Sequence, residues 1–218
     1  GIFSHFADVY DADLRWSCEQ IETFRKLTAD FCGDGRVPLL HMAGTGGIVR
    51  LPESRFDAIR PGSILYGMRS GLAPEEVPEG IRPVASLKCR VGAVKLLEAG
   101  QPVGYRRTWR APQDTRLAIL PIGYADGYPR SLSNNAEVLL GGVRCPVVGA
   151  VSMDAITVDA TAAPEVGTGD EAVLIGRQGD EQITFEEVAA RAGSIVEEVS
   201  SRLGSRLERI YLGGSERQ

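Results

Sequence analysis

Tyr105 follows Gly104, Tyr124 stands in the run Gly123-Tyr124-Ala125-Asp126-Gly127-Tyr128-Pro129-Arg130, and Ser152-Met153-Asp154 comes next in the same Gly-rich stretch. A phenol can move a proton, and a turn that exposes its backbone can offer N–H donors. No Cys-His or Ser-His-Asp pattern accompanies them, so the chemistry indicated is proton transfer and not acyl transfer. The chain has only two histidines, His5 and His41, and both lie with Arg60 near the N-terminus. Taken singly, each piece is ordinary. A tyrosine in a Gly-rich β hairpin packs or caps a sheet, a histidine at a strand end is a hydrogen-bonded structural residue, and Arg-Pro is a common turn.

The elements that must position these groups change character along the chain. From Gly1 to about Gly71, short apolar strand patterns alternate with helical ones. Ile2, Phe3 and Phe6 read as a strand, Leu14, Cys18, Ile21, Phe24 and Leu27 recur at helical spacing, and Val37 to His41 and Phe56 to Arg60 read as further strands. Such alternation implies right-handed βαβ units and a parallel sheet, although three strands cannot close a barrel. His5, His41 and Arg60 fall at or near the strand ends.

Pro74, Pro78 and Pro83 then punctuate a linker, and short strands dominate. They are expected over Ala85 to Leu97, Arg116 to Ile122, Glu137 to Leu140, Val143 to Val148, Ala155 to Val158 and Ala172 to Ile175, with a hairpin turn at Gly141-Gly142. One clear helix is expected, where Thr184 and Glu187 form a capping box ahead of Val188, Ala189 and Ala192. The expected division is an α/β portion, residues 1–81, followed by a mostly antiparallel β domain, residues 82–218.

With 43% hydrophobic and 24% charged residues, the chain of 218 should bury an ordinary core. A net charge of -5 without a basic stripe argues against nucleic acid as a partner. Cys18, Cys32, Cys89 and Cys145 are far apart, with no C-x-x-C and no histidine at ligand spacing, which argues against a metal site and for reduced thiols in the cytoplasm. No apolar run approaches the roughly 20 residues of a membrane span, so no membrane contact is expected of this chain. The chain opens on Gly1, already in a strand pattern, which reads as a cut inside a domain.

In this order and spacing, the Tyr105, Gly123-Tyr128 and Met153 blocks resemble the C-terminal half of alanine racemases, which are pyridoxal phosphate enzymes. Gly1-Ile2-Phe3-Ser4-His5-Phe6-Ala7 resembles the family's G-[IL]-[FY]-T-H-F-A strand, Arg60-Pro61-Gly62-Ser63-Ile64-Leu65-Tyr66-Gly67 its R-P-G-I-x-x-Y-G, and Arg206-Leu207-Glu208-Arg209-Ile210-Tyr211 its R-V-P-R-x-Y. The resemblance implies the last three βα units of a TIM-type (β/α)8 barrel ahead of the β domain, with functional residues at strand C-terminal ends. It implies a soluble homodimer with shared active sites that interconverts L- and D-alanine, a peptidoglycan precursor.

Racemising an amino acid needs an electron sink and an acid-base group on each face of the α carbon. Pyridoxal 5'-phosphate supplies the sink. The resemblance makes Tyr105 one base, offered across the dimer interface. A phenol with the ordinary pKa near 10 is a poor base at neutral pH and must be tuned. A chain running Tyr105, His5, Arg60, His41 is the implied tuner. Arg60 resembles the family's arginine facing the cofactor's pyridine nitrogen, which would leave that nitrogen unprotonated and suit racemisation over transamination. Thr45 of Gly44-Thr45-Gly46-Gly47 matches a phosphate-binding hydroxyl, and Gly62 and Ser63 offer N–H groups from a second phosphate loop. Tyr124 matches a tyrosine that lines the substrate entry in the family, and Met153, with Asp154 beside it, matches a residue whose N–H meets the substrate carboxylate.

The sequence also departs from the family. Its lysines, Lys26, Lys88 and Lys95, lack the context of the cofactor lysine, so the attachment lysine and the first five barrel strands belong to a missing N-terminal portion. An isolated chain is then expected to be inactive. Glu197 stands where the family has a tyrosine touching the phosphate, which keeps serine or broader specificity open as an alternative. Arg106 replaces a small residue. Related decarboxylases rank far lower, because G-E-P-G-R and C-D-x-x-D are absent from the sequence. A non-catalytic dimerisation and gate module is the remaining alternative.

Overall fold

The structure, a computed structural model, describes residues 1–32 and 39–212. They fall into two units, Gly1–Val84 and Ala85–Gln218.

In the first unit, strand β1 (Ile2–Phe3) leads through helix α1 (Arg15–Ala29) to strand β2 (Leu40–His41), which pairs with β1 in parallel. Helix α2 (Thr45–Arg50) follows directly. Phe56 to Arg60 does not form the expected full strand. It runs beside β2 with one parallel bridge at Ala58, plus Asp57 N–H to Leu40 O at 3.0 Å and Arg60 N–H to Ala43 O at 2.9 Å. Of the expected second strand, Val37 and Pro38 lie outside the described residues.

Phe6, expected in the first strand, lies past its end and is buried with Val9, Ile21, Phe24, Met42 and Leu51. Ile21, Phe24 and Thr28 at helical spacing mark the buried stripe of α1, so Leu27 stands off it, 69% exposed, and Cys18 is exposed as well. Burying Ile21 and Phe24 contributes roughly 1.5–3 kcal/mol each. Phe24 also meets Phe56 edge to face at 5.2 Å between ring centroids.

The second unit opens with β3 (Leu87–Arg90) and β4 (Ala93–Leu97), where one strand was expected. Val91-Gly92 divides them because the chain changes sheets there: Val91 N–H reaches Asp170 O and Gly92 N–H reaches Ile119 O, both at 2.8 Å. A short hairpin of β5 (Pro102–Val103) and β6 (Trp109–Arg110) precedes β7 (Thr115–Leu120). The hairpin of β8 (Glu137–Leu140) and β9 (Val143–Pro146) turns through Gly141 and Gly142 at φ 59° and 82°, the left-handed pair that a two-residue turn requires. Then come β10 (Ile156–Asp159), β11 (Glu171–Gln178) and β12 (Glu181–Ile183). Helices α3 (Phe185–Ala192) and α4 (Val196–Ser201) complete the unit.

One sheet has the order β10-β7-β4; in the other, β12-β11-β8-β9 run in sequence and β3 also pairs with β11. Ala172 to Ile175 of β11 are buried in succession, which requires cover on both faces. Thr184 caps α3 by accepting Glu187 N–H at 3.1 Å. Helix α4 was not expected, because six residues are too few to display a helical period.

Arg144 on β9 ties the sheet to α3, meeting Glu187 at 2.8 Å, Glu181 at 2.8 Å and Glu137 at 3.2 Å. Its hydrogen bond holds Glu187 below the ordinary carboxylate value of 4.5, although burial opposes this. A depressed carboxylate stabilises the fold above that ordinary value and loses the contribution as pH falls through its lowered one. The denaturation midpoint of Glu187→Gln should therefore be lower than the parent's at pH 7, and the difference should shrink as the pH falls through the lowered Glu187 value. A difference that does not change with pH would show that the ionised carboxylate contributes nothing.

Candidate active site

Arg60 is where the first unit gathers its polar groups. Its Nη1 donates to His41 Nδ1 at 2.6 Å and to His41 O at 3.2 Å. Nη2 donates to Ser4 O at 2.7 Å, His5 Nδ1 at 3.2 Å and Met42 O at 3.3 Å. Guanidinium can only donate, so both Nδ1 atoms accept and each neutral imidazole carries its proton on Nε2. Phe3 completes the cluster, stacking on His41 with centroids 5.5 Å apart and lying 5.3 Å beneath the Arg60 guanidinium carbon. Parallel pairing makes this possible, since it sets Phe3 level with His41 and carries Ser4-His5 on beside Met42-Ala43.

Hydroxyls collect immediately beyond. Thr45 Oγ1 lies 3.3 Å from Ser63 Oγ and accepts Gly62 N–H at 3.4 Å, while Ser70 Oγ hydrogen-bonds Ser63 Oγ. Thr45 opens helix α2 and Ser63 opens a 3-10 turn over Ser63–Tyr66, so both expected phosphate loops are in fact helix starts. A Cβ on Gly44 would lie 3.1 Å from the His5 ring, which puts this edge against the arginine cluster. A Cβ on Gly62 would meet nothing within 4 Å, leaving open space beside the hydroxyls.

In the second unit, Tyr105 heads the turn Tyr105–Arg107 between β5 and β6 and is 72% exposed. Tyr124 heads a second turn, Tyr124–Asp126, held against the Met153 segment by Tyr124 N–H to Ser152 O and Ala125 N–H to Met153 O, both at 3.0 Å. Gly123 is indispensable here, because a Cβ would sit 2.3 Å from Ser152 O. Asp126 is buried and accepts Gly123 N–H at 2.8 Å. Tyr128, by contrast, is 1% exposed and burial pushes its ionisation up, so it is a core residue.

Arg206 is the contributor that residue-by-residue reasoning missed. It reaches Asp154 at 2.7 Å and Asp126 at 3.4 Å, tying itself to the Met153 segment and to the Tyr124 turn. Only its place in the terminal Arg206-to-Tyr211 block signalled it. Glu197 is exposed in the first turn of α4. Lys26 lies in α1, Lys88 in β3 pairs with Glu171 at 3.0 Å, and Lys95 lies in β4. Among the described residues, no group of three or more His, Cys, Asp or Glu could hold a metal ion, and no helix is long and apolar enough to cross a membrane.

Comparison with known proteins divides the chain in the same direction. Residues 1–70 match the family described as alanine racemase, N-terminal domain, and residues 84–211 match alanine racemase, C-terminal domain. An alanine racemase of Syntrophobacter fumaroxidans is 42% identical over 204 residues, covering 94% of this chain and 54% of the relative. One from Carboxydothermus hydrogenoformans is 40% identical, covering 97% and 58%. Among solved structures, the alanine racemase of D-cycloserine-producing Streptomyces lavendulae superposes with a TM-score of 0.90 at 34% identity, covering 99% of this chain and 57% of that one. The enzyme of Bartonella henselae with covalently bound pyridoxal phosphate gives 0.82 at 33% identity, covering 97% and 56%. This chain thus spans little more than half the length of the relatives it matches.

Proposed function

This chain belongs to the alanine racemase family, and we propose that it supplies the C-terminal part of an enzyme that interconverts L- and D-alanine by two-base proton transfer. The observation that carries this reading is the Arg60 fork, which donates to both histidines and leads directly into the Gly62, Ser63 and Thr45 cluster. The first unit is read as the last three βα units of a (β/α)8 barrel, and the second as the β domain.

The residues present fit pyridoxal 5'-phosphate. Thr45, Ser63 and Ser70 bring hydroxyls together beside the open side of Gly62, a donor set suited to a phosphate. Arg60 keeps its proton, so beside a pyridine nitrogen it would leave that nitrogen unprotonated. When bound, the cofactor supplies the electron sink for charge at the α carbon. Its attachment lysine would come from outside this chain.

The chain's own residues divide the remaining work. Tyr105, exposed on its turn, takes or returns the α proton on one face across a homodimer interface. His5, held by Arg60 through Nδ1, presents its Nε2–H as a donor that favours phenolate over phenol. His41 stacks on Phe3 and fixes the fork's second prong. Tyr124 narrows the substrate entry, and Met153, with Asp154 held by Arg206, faces the substrate carboxylate.

Joining this chain to a lysine-bearing N-terminal portion of an alanine racemase gives the complete enzyme for testing. The joined protein should interconvert alanine enantiomers and the isolated chain should not. Borohydride reduction with the cofactor should leave Lys26, Lys88 and Lys95 of the isolated chain unlabelled. Labelling at any of the three would overturn the reading. The carboxylate of Glu197, in place of a tyrosine, favours a second reading as a serine or broad-specificity racemase, which the same assay tests with serine as substrate. A serine rate far below that for alanine would exclude it.

A further inference from the structure

Tyr105 owes its position to its backbone, because its side chain is 72% exposed in this chain. The turn that carries it is closed by one backbone bond, Arg107 N–H to Gly104 O at 3.2 Å, and its backbone is strained. Gly104, Arg106 and Arg107 have φ of 70°, 63° and 51°, and the two arginines occupy a region disfavoured for any residue with a Cβ. Support must come from neighbouring segments.

At the start of the turn, Gly104 and Gly149 bring two backbones together. A Cβ on Gly104 would lie 3.2 Å from Ala150 N, and one on Gly149 would lie 3.1 Å from Val103 O. At its end, one side chain closes the arrangement. Asn134 Nδ2 donates to Thr108 Oγ1 at 3.0 Å, and Asn134 Oδ1 accepts Gly149 N–H at 2.6 Å. A backbone N–H can only donate, so the amide's orientation is fixed: oxygen toward Gly149, nitrogen toward Thr108. Asn134 itself adopts φ 55°, a conformation that asparagine tolerates better than most residues.

Its neighbour extends the connection. Ser133 Oγ accepts Val151 N–H at 3.0 Å, one residue before Ser152, whose carbonyl holds Tyr124 N–H. The Tyr105 turn, the Tyr124 turn and the approach to Met153 are therefore joined at residues 133–134.

We propose that Asn134 is a positioning residue for Tyr105: its amide straps Thr108 to Gly149 and so fixes where the phenol stands. The inference rests on the reading of Tyr105 as one of two bases. A strap of this kind matters because misplacing a catalytic group by about 1 Å can cost on the order of 100-fold in rate.

The test uses the complete enzyme and three variants. Asn134→Gly removes both bonds and keeps the positive φ, Thr108→Val removes the acceptor at an exposed position, and Thr108→Ser keeps the hydroxyl. The measurements are kcat/KM for interconversion and the exchange of each enantiomer's α proton with deuterated solvent. Asn134→Gly and Thr108→Val should lower interconversion by about 10- to 100-fold. Exchange of the enantiomer served by the lysine face should persist, and Thr108→Ser should restore the rate. Exchange of both enantiomers falling together, or an unchanged rate, would overturn the strap. Tyr105→Phe is the reference: if it lacks the one-sided exchange, the base assignment has failed and takes the strap with it. If Tyr105→Phe shows it and Thr108→Val behaves as the parent, the strap alone has failed.

Discussion

Tyr105→Phe in the complete enzyme is expected to slow racemisation by about 10²- to 10⁴-fold, the range typical for loss of a positioned acid-base group. The phenol's exposure makes this substitution clean. Tyr105 is 72% exposed in this chain, so removing its hydroxyl takes nothing from the chain's own core. The loss must also be one-sided, with the primary isotope effect rising for one substrate enantiomer only, because a racemase with one base removed can still deprotonate from the other face. A symmetrical or small loss would transfer the role to Tyr124, 43% exposed and bound through its own backbone to Ser152. Tyr128 is no candidate, since burial pushes its ionisation up.

Arg60→Lys is expected to be nearly as damaging, and on stability as well as activity. The guanidinium reaches three carbonyls and two imidazoles with two nitrogens, and a lysine ammonium is a point charge that cannot reproduce that fork. Hydrogen bonds to a charged group contribute about 1.5–3 kcal/mol, so losing even one well-placed bond should lower the urea midpoint measurably. Activity should fall by about 100-fold or more, because His5 loses the partner that fixes its tautomer and ring position. Arg60→Met, which removes the charge altogether, should be less stable than Arg60→Lys. If Arg60→Lys kept both midpoint and kcat/KM, the fork would be incidental, and His5 would be held by something else.

Local signals carried much of the fold. The Thr184 N-cap and the Gly141-Gly142 turn depend on contacts within a few residues and stand where the sequence puts them, although the Glu187 carboxylate that would complete a capping box pairs with Arg144 instead. Helix α1 likewise follows from the spacing of Ile21 and Phe24. The misreadings share one cause, which is that a strand's length is set by its neighbour and not by its own residues. Ala85 to Leu97 looks continuous until Gly92 bonds to Ile119 and the chain passes to another sheet. Phe56 to Arg60 has strand-like residues but makes only one bridge to β2.

The candidate residues divide along the same line. His5, His41, Arg60, Thr45, Tyr105, Tyr124 and Met153 were singled out by blocks of sequence that resemble a known family in their order and spacing, since each residue taken singly is ordinary. Which of them meet is a matter of register and turn geometry. Parallel pairing of Ile2–Phe3 with Leu40–His41 brings both histidines to one guanidinium, and nothing local to His5 predicts a partner 55 residues away. Asn134 and Arg206 carry no chemical signature at all. Their roles come from bonds to Thr108, Gly149, Asp126 and Asp154, segments distant in sequence, and a polar side chain acquires a partner of that kind only when the folded backbone delivers it.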